Sequence, residues 1–359
     1  MFSRDELVCL WFDYNDYSFS KLEKVLRHFD KIDSLFDKNL VKNAFFENDL
    51  KPIQEKLLLL DENKFAQKID DEFYKFGISA VTYVSNDYPE KLKVIADPPL
   101  VLYLKGDKSL LNKKSISIVG TRSPSEYGKI VCEKFTKVLS NAGLVTVSGL
   151  AYGIDTIVAE TTLKENGKTI AVLAGGLDSI YPASNTNLAE KISMNGLLVS
   201  EVRPGVKPVN YAFVARNRIV SALSLGTLII EAGKHSGTMT TARFAIEQSR
   251  ELFVVPGNIY SKTSEGTNNL IDELPDTFTI SPERILFRLK IKKKEPETNS
   301  VQVGFENNAI LNALSSGEKS FDELAEISGL KPSALSSELI KMEMFELIKI
   351  GDDGLYYKM

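Results

Sequence analysis

Between Ser115 and Pro256 six short apolar runs recur, most leading through a glycine-bearing turn to a helical pattern. The runs are SISIV (115–119), LVTV (144–147), TIAVL (169–173), LLVS (197–200), TLIIE (227–231) and LFVVP (252–256). Runs this short and this apolar read as strands buried on both faces, the habit of parallel strands. Repeated strand–helix alternation predicts an α/β fold, with an extended Rossmann-like parallel sheet at about 112–280 and helices on both of its faces. In such sheets ligands bind beyond the carboxyl ends of the strands. The turns that follow the strands are therefore where the chemistry is expected.

Strand 115–119 runs into GTRSPSEYGK (120–129). Gly120 permits close backbone approach, Thr121 offers a hydroxyl and Arg122 a forked cation. A helix start follows, and its free amides favour an anion. Strand 144–147 ends in VSGLAYGID (147–155), where Ser148 and Gly149 put a small hydroxyl and bare backbone at the strand end. Asp155 reads as the cap of the next helix. After strand 169–173, Tyr181 either stacks a base or packs against Pro182. Arg216, Asn217 and Arg218 then precede strand 227–231. Arginine is costly to bury without a partner and its fork suits phosphate, so packing alone explains this segment poorly. Glu231 reads as the arginines' counter-charge, with a catalytic acid or a ribose binder as the other readings. Finally Ser236, Gly237 and Thr238 open a hydroxyl-rich helix, another anion-friendly start. Several such strand ends on one sheet edge describe a groove rather than a pocket.

Charge agrees with that placement. The formal net charge is −4, yet residues 111–290 carry 20 basic against 16 acidic side chains. Residues 1–110 carry 16 against 20, and residues 291–359 carry 8 against 12. Only the middle has the sign suited to a polyanion. His28 and His235 are the only histidines, and Cys9 and Cys132 the only cysteines. That scarcity argues against a metal site, a histidine triad and a disulfide framework, so no metal, cofactor or catalytic residue is expected. Two isolated cysteines, no long apolar stretch and an acidic start predict a cytoplasmic protein without a membrane segment.

The flanks are simpler. Residues 1–77 read as a small helical domain, with Leu22, Val25, Leu26 and Phe29 at helical spacing and Leu57 to Leu60 with Phe65 continuing the pattern. Two more strand candidates follow, AVTYV (80–84) and LVLYL (100–104). The extended Rossmann-like domain is expected over 78–287 and a charged, proline-containing linker over 288–304. Residues 305–359 read as a winged helix: helices at 306–315, 320–327 and 332–344, a turn at Gly329, and two strands around GDDG (351–354). The helix PSALSSELIKMEM offers Lys341 against Glu338 and Glu343, which favours a protein or dimer contact over groove reading.

YPEKLKVIADPPLVLYLKGD (88–107), GTR (120–122), SGLAYGID (148–155), AGGLDSIYP (174–182), RNRIVSALS (216–224), EAGKHSGTMTTA (231–242) and VPGNIYSKTSEGTNNLI (255–271) resemble, in order and spacing, the DNA-processing protein A (DprA/Smf) family. The resemblance covers about 88–271. It implies sequence-independent single-stranded DNA binding, a homodimer, and loading of the RecA recombinase during natural transformation. By motif it assigns the strand-binding groove to Gly120, Thr121, Arg122, Ser148, Gly149, Arg216, Asn217, Arg218, Ser236, Gly237 and Thr238. Val158 and Ala159 stand where the family usually has an Ala-His pair, which weakens any catalytic reading. Two other classes stay open. One is a lysine-decarboxylase-like (LOG) nucleoside-monophosphate phosphoribohydrolase, although SALSLGTLIIE (221–231) lacks that group's Pro-Gly-Gly. The other is a partner scaffold without DNA contact.

Overall fold

In the computed structural model the chain is described over residues 2–28, 32, 35, 50–291, 308–344, 347–351 and 354–358. It divides into two units, 1–294 and 295–359. The first is built on an eight-stranded sheet: β1 (Ser79–Thr82), β2 (Val101–Gly106), β3 (Ser115–Val119), β4 (Val145–Ser148), β5 (Thr169–Leu173), β6 (Leu197–Ser200), β7 (Gly226–Ile229) and β8 (Glu251–Val254). The order across the sheet is β1-β2-β6-β5-β4-β3-β7-β8. Strands β3 to β8 pair in parallel, as their buried apolar runs predict. The two earlier candidates extend the same sheet as an antiparallel pair, β2 lying against β6.

Helices fill the intervals. Those before and beside the sheet are α1 (Arg4–Tyr14), α2 (Phe19–His28), α3 (Lys51–Leu58), α4 (Glu62–Phe76) and α5 (Glu90–Lys93). The crossovers are α6 (Glu126–Asn141), α7 (Ile154–Lys164), α8 (Thr186–Asn195), α9 (Asn210–Ala222) and α10 (Gly237–Glu247), with α11 (Glu265–Glu273) and α12 (Pro282–Arg288) after β8. The chain lays down β3, β4, β5 and β6 in one direction, then returns to place β7 on the free side of β3. Loops leaving β3 and β7 diverge at that reversal and leave a crevice above the sheet edge. Two serines in β3 fix the returning helix. Ser115 Oγ donates to Leu223 O at 2.7 Å and Ser117 Oγ to Val220 O at 2.6 Å. Both carbonyls lie at the end of α9, where intrahelical partners run out.

The N-terminal helices share one continuous core with the sheet, Trp11, Ile69 and Phe73 packing with Val101, Tyr103 and Leu198. The run from Leu57 to Phe65 is two helices, not one. Asp61 breaks it by capping α4, its side chain accepting from Lys64 N at 3.1 Å. Phe29 lies outside the described residues.

The second unit has α13 (Asn308–Leu314), α14 (Phe321–Ser328), α15 (Pro332–Met344) and the hairpin β9 (Ile348–Ile350) and β10 (Tyr356–Lys358). Gly329, at φ 66°, makes the left-handed turn between α14 and α15. This is the winged-helix order. The expected linker residues 292–304 lie outside the described residues. Among the described residues no helix is long and apolar enough to cross a membrane.

Candidate nucleic-acid interface

A groove of about 600 Å³ opens at the reversal point. Its walls are the loops after β3, β4 and β7, the middle of α9, the start of α10, and Lys262 and Thr263. Of the expected residues, the Gly120–Arg122 loop, Gly149, Arg216, Asn217 and the Ser236–Thr238 turn line it. Ser148 is buried behind that wall and Arg218 lies elsewhere.

Arg216 is the buried anchor, 5% exposed. Its Nη1 donates to Gly149 O at 2.6 Å and to Val172 O, and its Nε donates to Asn217 Oδ1 at 3.2 Å. Asp155 Oδ2 accepts from Gly149 N at 3.0 Å and Ala151 N at 3.3 Å. The Gly149 residue is thus gripped at both its amide and its carbonyl. Asp155 is a loop brace, not the helix cap expected from sequence. The cap of α7 is Gly153, at φ 76°, packed against the Thr121–Arg122 backbone. Burial raises the Asp155 pKa while Arg216 opposes that rise, and burial lowers the Arg216 pKa while Asp155 opposes that fall. Each charge makes the other tolerable in a site that water scarcely reaches. A Cβ on Gly149 would fall on the Arg216 guanidinium, so glycine is required there.

Arg122 is the opposite kind of arginine. It is exposed, and its guanidinium lies 5.9 Å from the Phe213 ring centre. Tyr181 meets the same ring edge-on at 5.3 Å. Beside this trio a narrow slot opens between Tyr181, Pro182, Pro208 and Phe213, and it shares Arg122, Gly149 and Arg216 with the groove. Tyr181 thus packs on Phe213, a partner that the sequence reading did not name, and is still 53% exposed.

Two further expectations are corrected. Arg218 does not face the groove: its Nη1 and Nη2 donate to the two Glu201 oxygens at 2.8 and 2.6 Å, and its Nε to Asp97 O at 3.0 Å. Glu231 is not the arginines' counter-charge. It is buried, accepts from Ser125 N at 2.9 Å and from Thr263 Oγ1, and lines no part of the groove. The sequence reading also missed Lys234, His235, Lys262 and Phe213. Lys262 could have been found by applying the strand-end rule to the loop after the last strand.

The groove thus gathers Arg122, Arg216, Lys234 and Lys262. Among the described residues the one carboxylate lining it is Asp155, turned to backbone amides. Lys234 has a distant partner, Glu265 at 4.0 Å.

Comparison with known proteins bears on the family and the fold. The family model described as DNA recombination-mediator protein A matches residues 79–290, and the DprA winged helix domain matches 295–354. The chain is 43% identical over 216 residues to DNA processing protein DprA of Bacillus subtilis, covering 58% of this chain and 73% of that one. Among solved structures it is similar to DNA processing protein A of Streptococcus pneumoniae, with a TM-score of 0.65 and 34% identity over 74% of this chain and 92% of that one. It is also similar to DNA processing protein A of Helicobacter pylori, whose structure describes a single-stranded DNA binding mode. There the TM-score is 0.54 and the identity 34%, over 59% of this chain and 95% of that one.

Proposed function

Because the chain belongs to the DNA recombination-mediator protein A family, we propose that its groove holds single-stranded DNA without reading sequence. In this reading the protein acts in the cytoplasm as a homodimer, delivers the strand to RecA during natural transformation, and performs no catalysis. The observation that carries it is the pairing of two features on one sheet edge: cations with few acidic partners, and the Arg122–Phe213–Tyr181 trio beside them. Cations neutralise phosphates, and exposed rings stack bases that only a single strand can offer. The nucleic-acid-binding residues are then Gly120, Thr121, Arg122, Gly149, Arg216, Asn217, Ser236, Gly237 and Thr238, joined by Lys234 and Lys262. Ser148 supports the wall from behind.

The test is a salt-titrated comparison of single-stranded and duplex DNA. Single strands should bind more tightly, with affinity falling by roughly 0.7 log units per log salt for each phosphate neutralised. Equal affinity for duplex, or a flat salt response, defeats the reading. The phosphoribohydrolase alternative needs a carboxylate at the reacting bond. Glu231 is tied to Ser125 and Thr263, and Asp155 to Gly149 and Ala151, which supports a site without hydrolysis. Incubation with AMP, GMP and CMP should release no free base. Release that disappears in Glu231→Gln would reinstate the enzyme.

A further inference from the structure

Glu231 joins two walls of the groove, the loop after β3 and the loop after β8, which Tyr127 OH also links by donating to Pro256 O at 2.8 Å. The Glu231 carbonyl accepts from Thr121 N at 2.7 Å, and its carboxylate accepts from Ser125 N at 2.9 Å. One residue therefore pins both ends of the loop that carries Arg122. The second carboxylate oxygen accepts from Thr263 Oγ1, the neighbour of Lys262 on the far loop. Among the described residues no cation meets this buried carboxylate. Its compensation is the start of α6, where Ser125 is the cap and the helix end carries partial positive charge. The space for it comes from Gly128, where a Cβ would fall on Glu231 Oε2.

We propose that Glu231 is a positioning residue. By hydrogen-bonding the Ser125 amide and the Thr263 hydroxyl together, it sets the separation of Arg122 and Lys262 across the groove. This rests on the groove being a strand-binding surface. It gives Glu231 a role without reaction chemistry, since it is buried and lines no part of the groove. Glutamine can reproduce both bonds, its oxygen accepting from Ser125 N and its amide donating to Thr263 Oγ1. Alanine can reproduce neither.

The test compares Glu231→Ala, Glu231→Gln and Thr263→Val with the parent in the full chain. Amide hydrogen exchange without DNA is the first readout. In Glu231→Ala the 121–125 and 257–264 loops should exchange faster together, with Glu231→Gln close to the parent. Binding of an oligo-dT probe across a salt series is the second. The Glu231→Ala salt slope should fall by roughly 0.7 to 1.4, the loss of one or two phosphate contacts, and Glu231→Gln should restore it. If Glu231→Ala does not fold, Thr263→Val, which cuts one arm only, should still quicken the far loop and lower the slope. Unchanged exchange in both loops, or a glutamine variant as deficient as alanine, overturns the proposal. A parent that binds no oligo-dT defeats the strand-binding reading instead, and the exchange measurement still decides whether Glu231 couples the loops.

Discussion

Replacing Arg122 by alanine separates binding from folding, because this side chain does little for the fold. It is exposed, and its side chain lies against the Phe213 ring at 5.9 Å, near the outer limit for a cation–π contact. Removing such a contact at an exposed site costs about 0.5 kcal/mol. In a domain this large that lowers the melting temperature by roughly 1 °C. A charge-assisted bond to phosphate is stronger, about 1.5–3 kcal/mol. Its loss weakens binding roughly ten- to 150-fold and lowers the salt slope by about 0.7. Fluorescence anisotropy with a labelled oligo-dT between about 50 and 200 mM salt measures both quantities. Arg216→Ala gives the contrast. Its guanidinium is buried on Gly149 O and Val172 O, so truncation leaves Asp155 uncompensated and costs about 3–5 kcal/mol of stability. An Arg122→Ala protein that keeps the parental slope and affinity refutes the assignment of Arg122 to phosphate. One that unfolds refutes the claim that it is structurally idle.

Gly149→Ala should lower stability by about 1–3 kcal/mol in urea unfolding, because its methyl group lands on Arg216. Gly237→Ala, with nothing within 4 Å of the new atom, should stay within about 0.5 kcal/mol. Arg218→Ala should destabilise by about 2–3 kcal/mol through the abandoned Glu201, and leave the salt slope of DNA binding unchanged. Asp13 supplies a pH test. Burial raises its pKa to about 6, above the ordinary 3.8, against the opposing hydrogen bond from Tyr103 OH and the charge of Arg203. Between those values the unfolded chain has released a proton that the folded one retains, so stability from this group is full below about 4 and falls as pH rises through 6. Asp13→Asn should therefore gain on the parent by up to about 3 kcal/mol between pH 4 and 7. A stability difference that does not change with pH would count against a buried, proton-retaining Asp13.

The parallel sheet was legible because strands buried on both faces leave an unbroken apolar run, and β3 to β7 are buried at every position. The direction of β1 and β2 was not, since antiparallel pairing at a sheet edge is a tertiary choice. The two arginines could not be told apart on sequence alone. They lie two residues apart on α9, and at about 100° per residue they point to nearly opposite sides. One faces Gly149 and the groove, the other Glu201 and Asp97. The closeness of Glu231 along the chain to the arginine motif suggests an ion pair that does not form. The fold instead puts this residue beneath the loop after β3. Helix starts favour aspartate, which makes Asp155 read as a cap in sequence, but Gly153 occupies that position.

The order in which the strands are laid down also bears on how the protein is made. β7 pairs with β3 but is synthesised only after β4, β5 and β6, which lie on the other side of β3. The loop of Arg122 leaves the ribosome early, and the segment holding Lys262 leaves late. A nascent or truncated chain ending before β7 can already carry half of the cationic surface, yet it lacks the opposite wall. Sheets closed by such distant pairings have high contact order and fold slowly. A strand of DNA should therefore find few footholds on incomplete chains. Once bound, it should act as a clasp on the last step of folding, slowing the detachment of β7 and β8 before any other part of the sheet.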